Sequence, residues 1–269
     1  MKWKHSALVL FLTTAALALS LRIHARTIRH ASPQPRTFPT AMPATVLWAW
    51  EEPEDLTTID PTHTGVAYLA ESLTLSDRVT IRPRFQPLNV APGTSVMAVV
   101  RLQPAANFRD TPELRTATVE ALTNLIRSNP PGLRAFQIDF DATESQRPFY
   151  TAILKQLRPQ MPPHMPLSIT ALLSWCARDD DWLATLPIDE AVPMFFRLGA
   201  HTKPHDSKLT YPIDEPLCRT SNGVSTDETW PAIAPTQRLY IFAPRPWTTA
   251  QLNTLRTSPI SKLTSELNQ

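Results

Sequence analysis

Glycine is scarce. Its five positions among 269 residues are Gly65, Gly93, Gly132, Gly199 and Gly223. No two of them are spaced to make G-x-G-x-x-G or G-x-x-x-x-G-K, which excludes phosphate-cradling loops of those types. An excess of one charge is missing too: 26 Lys and Arg face 24 Asp and Glu, a formal net charge of +2. Lys2 and Lys4 lie in a terminal targeting pattern, and without them the balance is neutral. No basic footprint remains, so no nucleic-acid partner is expected. Cysteine is confined to Cys176 and Cys218, with no paired histidines nearby, a poor basis for a zinc site. Seven histidines are present, none inside an apolar run. His201 and His205 are separated by Pro204, which breaks the helix a two-histidine metal site would need. Neither a G-x-S-x-G elbow nor H-E-x-x-H occurs. No metal or cofactor is expected.

What is present begins with a basic start, Lys2, Lys4 and His5, followed by 15 apolar or weakly polar residues from Ala7 to Leu21. That is the pattern of a secretory signal, with Ala16-Leu17-Ala18 as a small-x-small cleavage site. The run is short for a membrane span, which takes about 20 residues. Arg22, Arg26 and Arg29 follow closely, however, and left uncleaved the run would be a membrane tether through residues 7–21. Both readings place the protein outside the cytoplasm, periplasmic or secreted. Residues 22–43 carry Pro33, Pro35, Pro39 and Pro43 without apolar periodicity and read as a linker. The remainder, 44–269, is long enough for one sizeable core. In an oxidising compartment Cys176 and Cys218 can pair, and closing that 42-residue loop would add about 4 kcal/mol in the chain-entropy model. Two buried free thiols are the alternative.

Proline is abundant, 28 residues, about twice average usage, and it punctuates apolar runs instead of forming a tract. The runs are Val46–Trp50, Gly65–Leu69, Ser95–Leu102, Ala135–Phe140, Leu167–Leu172, Ala191–Phe196, Gly223–Ser225 and Arg238–Phe242. Most are near-continuous, as in parallel strands covered on both faces. Helical patterns lie between several of them. One opens at Thr111-Pro112-Glu113 and carries Leu114, Val119, Leu122, Leu125 and Ile126. A second spans about Gln146 to Leu157, a shorter one starts near Asp180 with Trp182 and Leu183, and a last runs from Thr248 through Leu255. Residues 73–90 read as an extended excursion. Eight strands with interleaved helices predict a single α/β domain, a (β/α)₈ TIM-like barrel with thin or missing helices after strands six and seven. A doubly wound open sheet is the competing architecture, disfavoured by the strand count and the lack of a glycine-rich first turn.

In such a barrel, chemistry gathers at the C-terminal strand ends. Those ends carry Trp50, Glu51, Asp139, Asp141, Glu144, Trp175, Arg197, Asp227, Arg245 and Trp247. Asp139-Phe140-Asp141 is the sharpest element. Residues two apart on a strand share a face, about 6.6 Å apart along the chain. Two carboxyls held so close cannot both ionise cheaply, so one pKa should rise. A raised carboxylic acid beside an ionised partner is what glycosidic cleavage needs. An Asp-x-Asp at a strand end also serves as a structural cap, and that alternative stays open. The indoles of Trp48, Trp50, Trp175 and Trp247 would suit stacking on sugar rings, with Trp247 flanked by Pro244 and Pro246 as the best-placed; packing in the core is the alternative for each.

The segments Leu47-Trp48-Ala49-Trp50-Glu51, Phe136-Gln137-Ile138-Asp139-Phe140-Asp141-Ala142, Leu167–Leu172, Asp189–Met194 and Phe242–Trp247 resemble the bacterial family of unknown function 3142, over roughly residues 44–250. That resemblance implies a fold more than an activity. More distantly the strand order resembles the chitinase-like family-eighteen glycoside hydrolases, whose fourth strand reads D-x-x-D-x-D-x-E and ends in the general acid. Asp139 and Asp141 match the second and third acids. Phe136 stands at the first, Thr143 at the catalytic Glu, and Glu144 falls one residue late. The M-x-Y-D of those enzymes becomes Met194-Phe195-Phe196-Arg197, and their eighth-strand Trp corresponds to Trp247.

The expected function is that of an exported glycoside-hydrolase-like protein acting on a polysaccharide. Asp139, Asp141 and Glu144 would be catalytic. Trp50, Glu51, Trp175, Arg197, Asp227, Arg245 and Trp247 would bind substrate. A non-catalytic carbohydrate-binding barrel and an envelope protein binding another protein are the alternatives. Whether the protein is an enzyme is open at this level.

Overall fold

A computed structural model describes residues 42–128, 130–177, 181–197, 213–234 and 236–257. The targeting pattern of 1–21 and nearly all of the linker lie outside the described residues.

Each of the eight apolar runs is a strand. They are β1 (Thr45–Ala49), β3 (Thr64–Leu75), β6 (Val96–Pro104), β7 (Leu133–Asp139), β8 (Leu167–Ala171), β9 (Glu190–Pro193), β10 (Ser221–Ser225) and β11 (Arg238–Phe242). The strands between them are short: β2 (Glu54–Leu56), β4 (Val79–Pro83) and β5 (Leu88–Val90). The eight long runs pair in parallel in the order β10-β11-β1-β3-β6-β7-β8-β9. The two ends of this sheet approach each other through a bridge between Met194 and Gly223, where Phe195 N–H donates to Gly223 O at 2.8 Å. The result is a nearly closed, barrel-like parallel sheet. Strand β4 adds antiparallel to the far half of β3, and β2 pairs with β5 outside the barrel. The 73–90 excursion is therefore a hairpin arm followed by a strand.

Among the described residues, helices are fewer than in a complete (β/α)₈ array. Helix α1 (Pro112–Ser128) follows β6 and α2 (Arg147–Leu157) follows β7, while α3 (Thr249–Thr257) follows β11. Thr111 starts α1, its hydroxyl accepting from Leu114 N–H at 3.2 Å, which satisfies one orphan donor of the first turn. Leu114, Val119, Leu122 and Ile126 bury its inner stripe, and Phe149, Tyr150, Ile153, Leu154 and Leu157 bury that of α2. The short helix expected near Asp180 is reduced to a 3₁₀ turn, Leu183–Thr185; Trp182 is held in place by rings, 5.0 Å from Trp175 and 5.9 Å from Tyr150. Among the described residues no helix separates β1 from β3 or β3 from β6 either. Thin crossovers therefore occur early in the barrel too, and most of the sixth crossover, residues 198–212, lies outside the described residues.

Strand alternation divides the apolar residues into two cores. Leu47, Val66, Ala98, Val100, Phe136, Ile138, Ile169, Leu239 and Ile241 face outward beneath the helices. Val46, Trp48, Ala67, Met97, Val99, Ala135, Val192 and Tyr240, with Met42, fill the interior. A polar chain threads that interior. Arg238 donates to Glu190 at 2.8 Å, and Ser168 and Tyr240 hydroxyls donate to the same carboxylate at 3.0 and 2.7 Å. Gln137 donates to Ser168 and accepts from the Trp48 indole N–H, each at 3.0 Å. The carboxylate is completely buried, and only this full set of partners makes a charge tolerable there. Gly223 is small because Trp48 leans on it: an added Cβ would lie 3.1 Å from the indole.

Cys176 and Cys218 form a disulfide with a Cα–Cα distance of 5.9 Å, which excludes the free-thiol alternative. It ties the turn after β8 to the turn before β10. A bridge of this kind fits an oxidising, extracytoplasmic compartment.

Candidate functional site

A cavity of about 660 Å³ opens at the C-terminal ends of the strands. Its walls come from β1, β6, β7, β8, β9 and β11, because the inward positions of those strands continue past the interior core. Asp139 is the last residue of β7 and shares its inward parity with Gln137. Only 8% of it is exposed. Thr170 Oγ1 donates to its Oδ1 at 2.7 Å, and Arg101 Nε lies 3.7 Å from Oδ2. Burial and the neighbouring Asp141 charge raise its pKa to about 6, while Thr170 and Arg101 act in the opposite sense. Asp141, two residues on, is exposed to the cavity. Desolvation by the cavity walls raises its pKa as well, and Arg101 offsets part of that. Arg101 therefore serves both carboxyls. Its guanidinium also lies over the Trp50 ring, 5.7 Å from the centroid, a cation–π contact that fixes both side chains.

The other walls are aromatic and apolar. Phe196 and Phe242 stack at 5.5 Å with planes 4° apart. Trp50 meets Phe242 edge-on at 6.2 Å, and Trp48 meets Phe196 edge-on at 6.1 Å. Leu172, Leu173, Ser174 and Met194 complete one side. Trp50 sits where β1 ends, and Arg84 holds that turn by donating to Trp50 O, to Ala49 O at 3.3 Å and to Glu52 O at 2.6 Å.

Of the residues expected from the sequence, the cavity brings together Trp50, Asp139, Asp141 and Arg197. Arg197 has a left-handed backbone (φ 57°), anchored by its N–H donating to the Glu228 carboxylate at 3.1 Å; its guanidinium meets Asp227 at 3.3 Å. Asp227 thus reaches the rim only as the partner of Arg197. The remaining expected residues do not line the cavity. Glu144 is exposed and opens a 3₁₀ turn, Glu51 pairs with Arg82, and Arg245 is exposed beyond the end of β11. Trp247 is no stacking platform: it is 6% exposed, its indole N–H donates to Trp48 O at 3.3 Å and its amide donates to Glu54 at 3.0 Å. Trp175 is 2% exposed and packs edge-on to Trp182. Both indoles belong to the outer core. The cavity adds Arg101, Thr170, Phe196 and Phe242 to the residues expected from the sequence, and strand parity alone puts Arg101 on the inward face with Val99 and Met97.

With this geometry in place, comparison with known proteins adds a partial frame. Residues 92–193 match the family model for a domain of unknown function, DUF3142. The match takes in β6 to β9 with α1 and α2, and so includes Arg101, Asp139, Asp141 and Thr170; it is narrower than the span of 44–250 over which the sequence resembles that family. No curated protein matches. Among solved structures, the spore cortex-lytic enzyme SleL of Bacillus cereus aligns at 17% identity over 56% of this chain and 40% of that one, with a TM-score of 0.37. This chain thus spans well under half of that protein.

Proposed function

We propose that the cavity is a carbohydrate site and that the protein is an exported glycoside-hydrolase-like enzyme acting on a polysaccharide. One observation carries the reading: two carboxyls, one of them with its pKa raised to about 6, share a cavity wall with an aromatic platform in a water-accessible mouth. Sugar rings present apolar C–H faces to aromatics and hydroxyls to polar groups, and Trp50, Phe196 and Phe242 supply the first need. Asp139, its pKa raised to about 6, takes up a proton as the pH falls through that value, and Asp141, nearer the opening, gives a proton to the glycosidic oxygen as its bond to the anomeric carbon breaks and water adds there. Arg101 limits the charge of the pair, and Thr170 fixes the rotamer of Asp139. The disulfide and the N-terminal pattern support export.

A second reading is a barrel that binds glycans without cutting them. A specific observation favours it: the position that carries the general acid in the family-eighteen pattern is Thr143, whose N–H donates to the Gln146 side chain at 2.9 Å in a turn. Release of reducing ends from a panel of polysaccharides separates the two. The enzyme reading expects release by the wild type and its loss in Asp141→Asn. Glycan binding without release, lost in Trp50→Ala, would leave the binding reading standing. Absence of both would refute a carbohydrate site.

A further inference from the structure

The second half of β3, with β4 and the end of β6, projects past the barrel mouth, and the faces of this three-stranded arm differ. Adjacent paired residues across a sheet share a face. Arg82 pairs with Ser72, Ser72 with Arg101 and Arg101 with Asp139, so one row runs from β4 straight to the buried acid. The next row outward is Thr80, Thr74 and Gln103, all exposed. On the opposite face Leu73 and Leu102 belong to the outer core, and Ile81 borders a groove against α1. The helix-facing side is apolar, whereas the side continuous with the cavity carries the exposed side chains of Thr74, Thr80 and Gln103 beside the Arg82–Glu51 ion pair.

Resting on the carbohydrate reading above, we infer that this polar shelf is an extended subsite that takes further sugar units of a chain whose end or bend occupies the cavity, so that the ligand is a polymer and not a mono- or disaccharide. Continuity carries the argument, since Arg101 belongs to the cavity wall and to the shelf at once. From the Asp139 row to the Thr80 row is about 6.6 Å along the strands, and β4 to β6 spans about 10 Å across them, a flat surface beyond the reach of a ligand confined to the cavity. Thr74, Thr80 and Gln103 can donate to and accept from hydroxyl groups, which is the chemistry a neutral glycan presents.

Calorimetric titration of the full chain with cello-, chito- and galacturonate oligomers, each as dimer and hexamer, tests this. For the oligomer series that binds, the hexamer should bind the wild type about tenfold tighter than the dimer, the effect of a few neutral hydrogen bonds. The combined variant Thr74→Ala, Thr80→Ala, Gln103→Ala should bring that ratio close to one. All three positions are exposed, and dimer binding by the variant itself reports whether its cavity is intact. Equal affinity of dimer and hexamer for the wild type, or a ratio unaffected by the triple substitution, overturns the shelf and leaves the cavity reading standing. Failure of every oligomer to bind the wild type overturns both.

Discussion

Replacing Asp139 by Asn should make the protein more stable at neutral pH. A carboxyl whose pKa lies at about 6 when folded and about 3.9 when unfolded is held in an environment that disfavours its charge. Below the unfolded value the group is protonated in both states and contributes nothing to pH dependence. Between about pH 4 and 6 the folded state binds the extra proton, so stability falls as pH rises through that window. Two pKa units correspond to at most about 3 kcal/mol. Asn keeps the acceptor for Thr170 but places an amide near Arg101, so about 2 kcal/mol is the expected gain at pH 7. For a domain of this size that is about 4–8 °C in melting temperature. Urea unfolding of wild type and variant at half-unit steps from pH 3.5 to 7.5 is the assay, and the difference between the two curves removes the titrating groups that do not sense Asp139, leaving Asp139 and its coupled neighbour Asp141. The difference should be near zero at the acidic end and open between pH 4 and 6. A difference that is flat with pH, or one that favours the wild type at neutrality, would refute the account of Asp139 as a carboxyl whose burial raises its pKa.

Four further outcomes follow from the packing. Trp247→Ala should lower stability by about 3–5 kcal/mol, as expected for a buried indole, whereas Trp50→Ala should leave the unfolding midpoint within about 1 kcal/mol of wild type and abolish glycan binding; chemical denaturation with parallel binding assays distinguishes them. Glu190→Ala, which leaves the Arg238 guanidinium in the interior without its carboxylate, should cost about 3–5 kcal/mol, read by the same denaturation. Reduction of the disulfide, or Cys176→Ser with Cys218→Ser, should cost about 4 kcal/mol for the 42-residue separation in the chain-entropy model; melting with and without reductant measures it. Gly223→Ala should cost about 1–3 kcal/mol through overpacking and shift near-ultraviolet dichroism, since the new methyl presses on Trp48.

The strands were legible because a parallel strand covered on both faces must be written in apolar residues, and eight such runs stand out between prolines. Asp139 and Asp141 were legible by the same alternation, two polar residues of one parity closing an apolar run. Helix content was harder to read: the pattern at Trp182 and Leu183 resembles a first helical turn, but its rings are claimed by Tyr150 and Trp175, contacts no local window contains. Trp247 misled for a related reason. Its proline-flanked setting looks like a loop tip, yet its two hydrogen bonds go to residues nearly 200 positions earlier. Arg101 stands as a lone cation in an apolar run, a weak signal by itself, although counting back from it in twos leads to Val99 and Met97 and so to the interior.

The hydrogen-bonded chain from Arg238 to Trp48, together with the methionines and Tyr240 around it, stoppers the barrel beneath the acids. Among the described residues these side chains fill the interior below the cavity. A ligand bound as proposed would therefore enter and leave on the side of the acids, past Arg197 and Trp50.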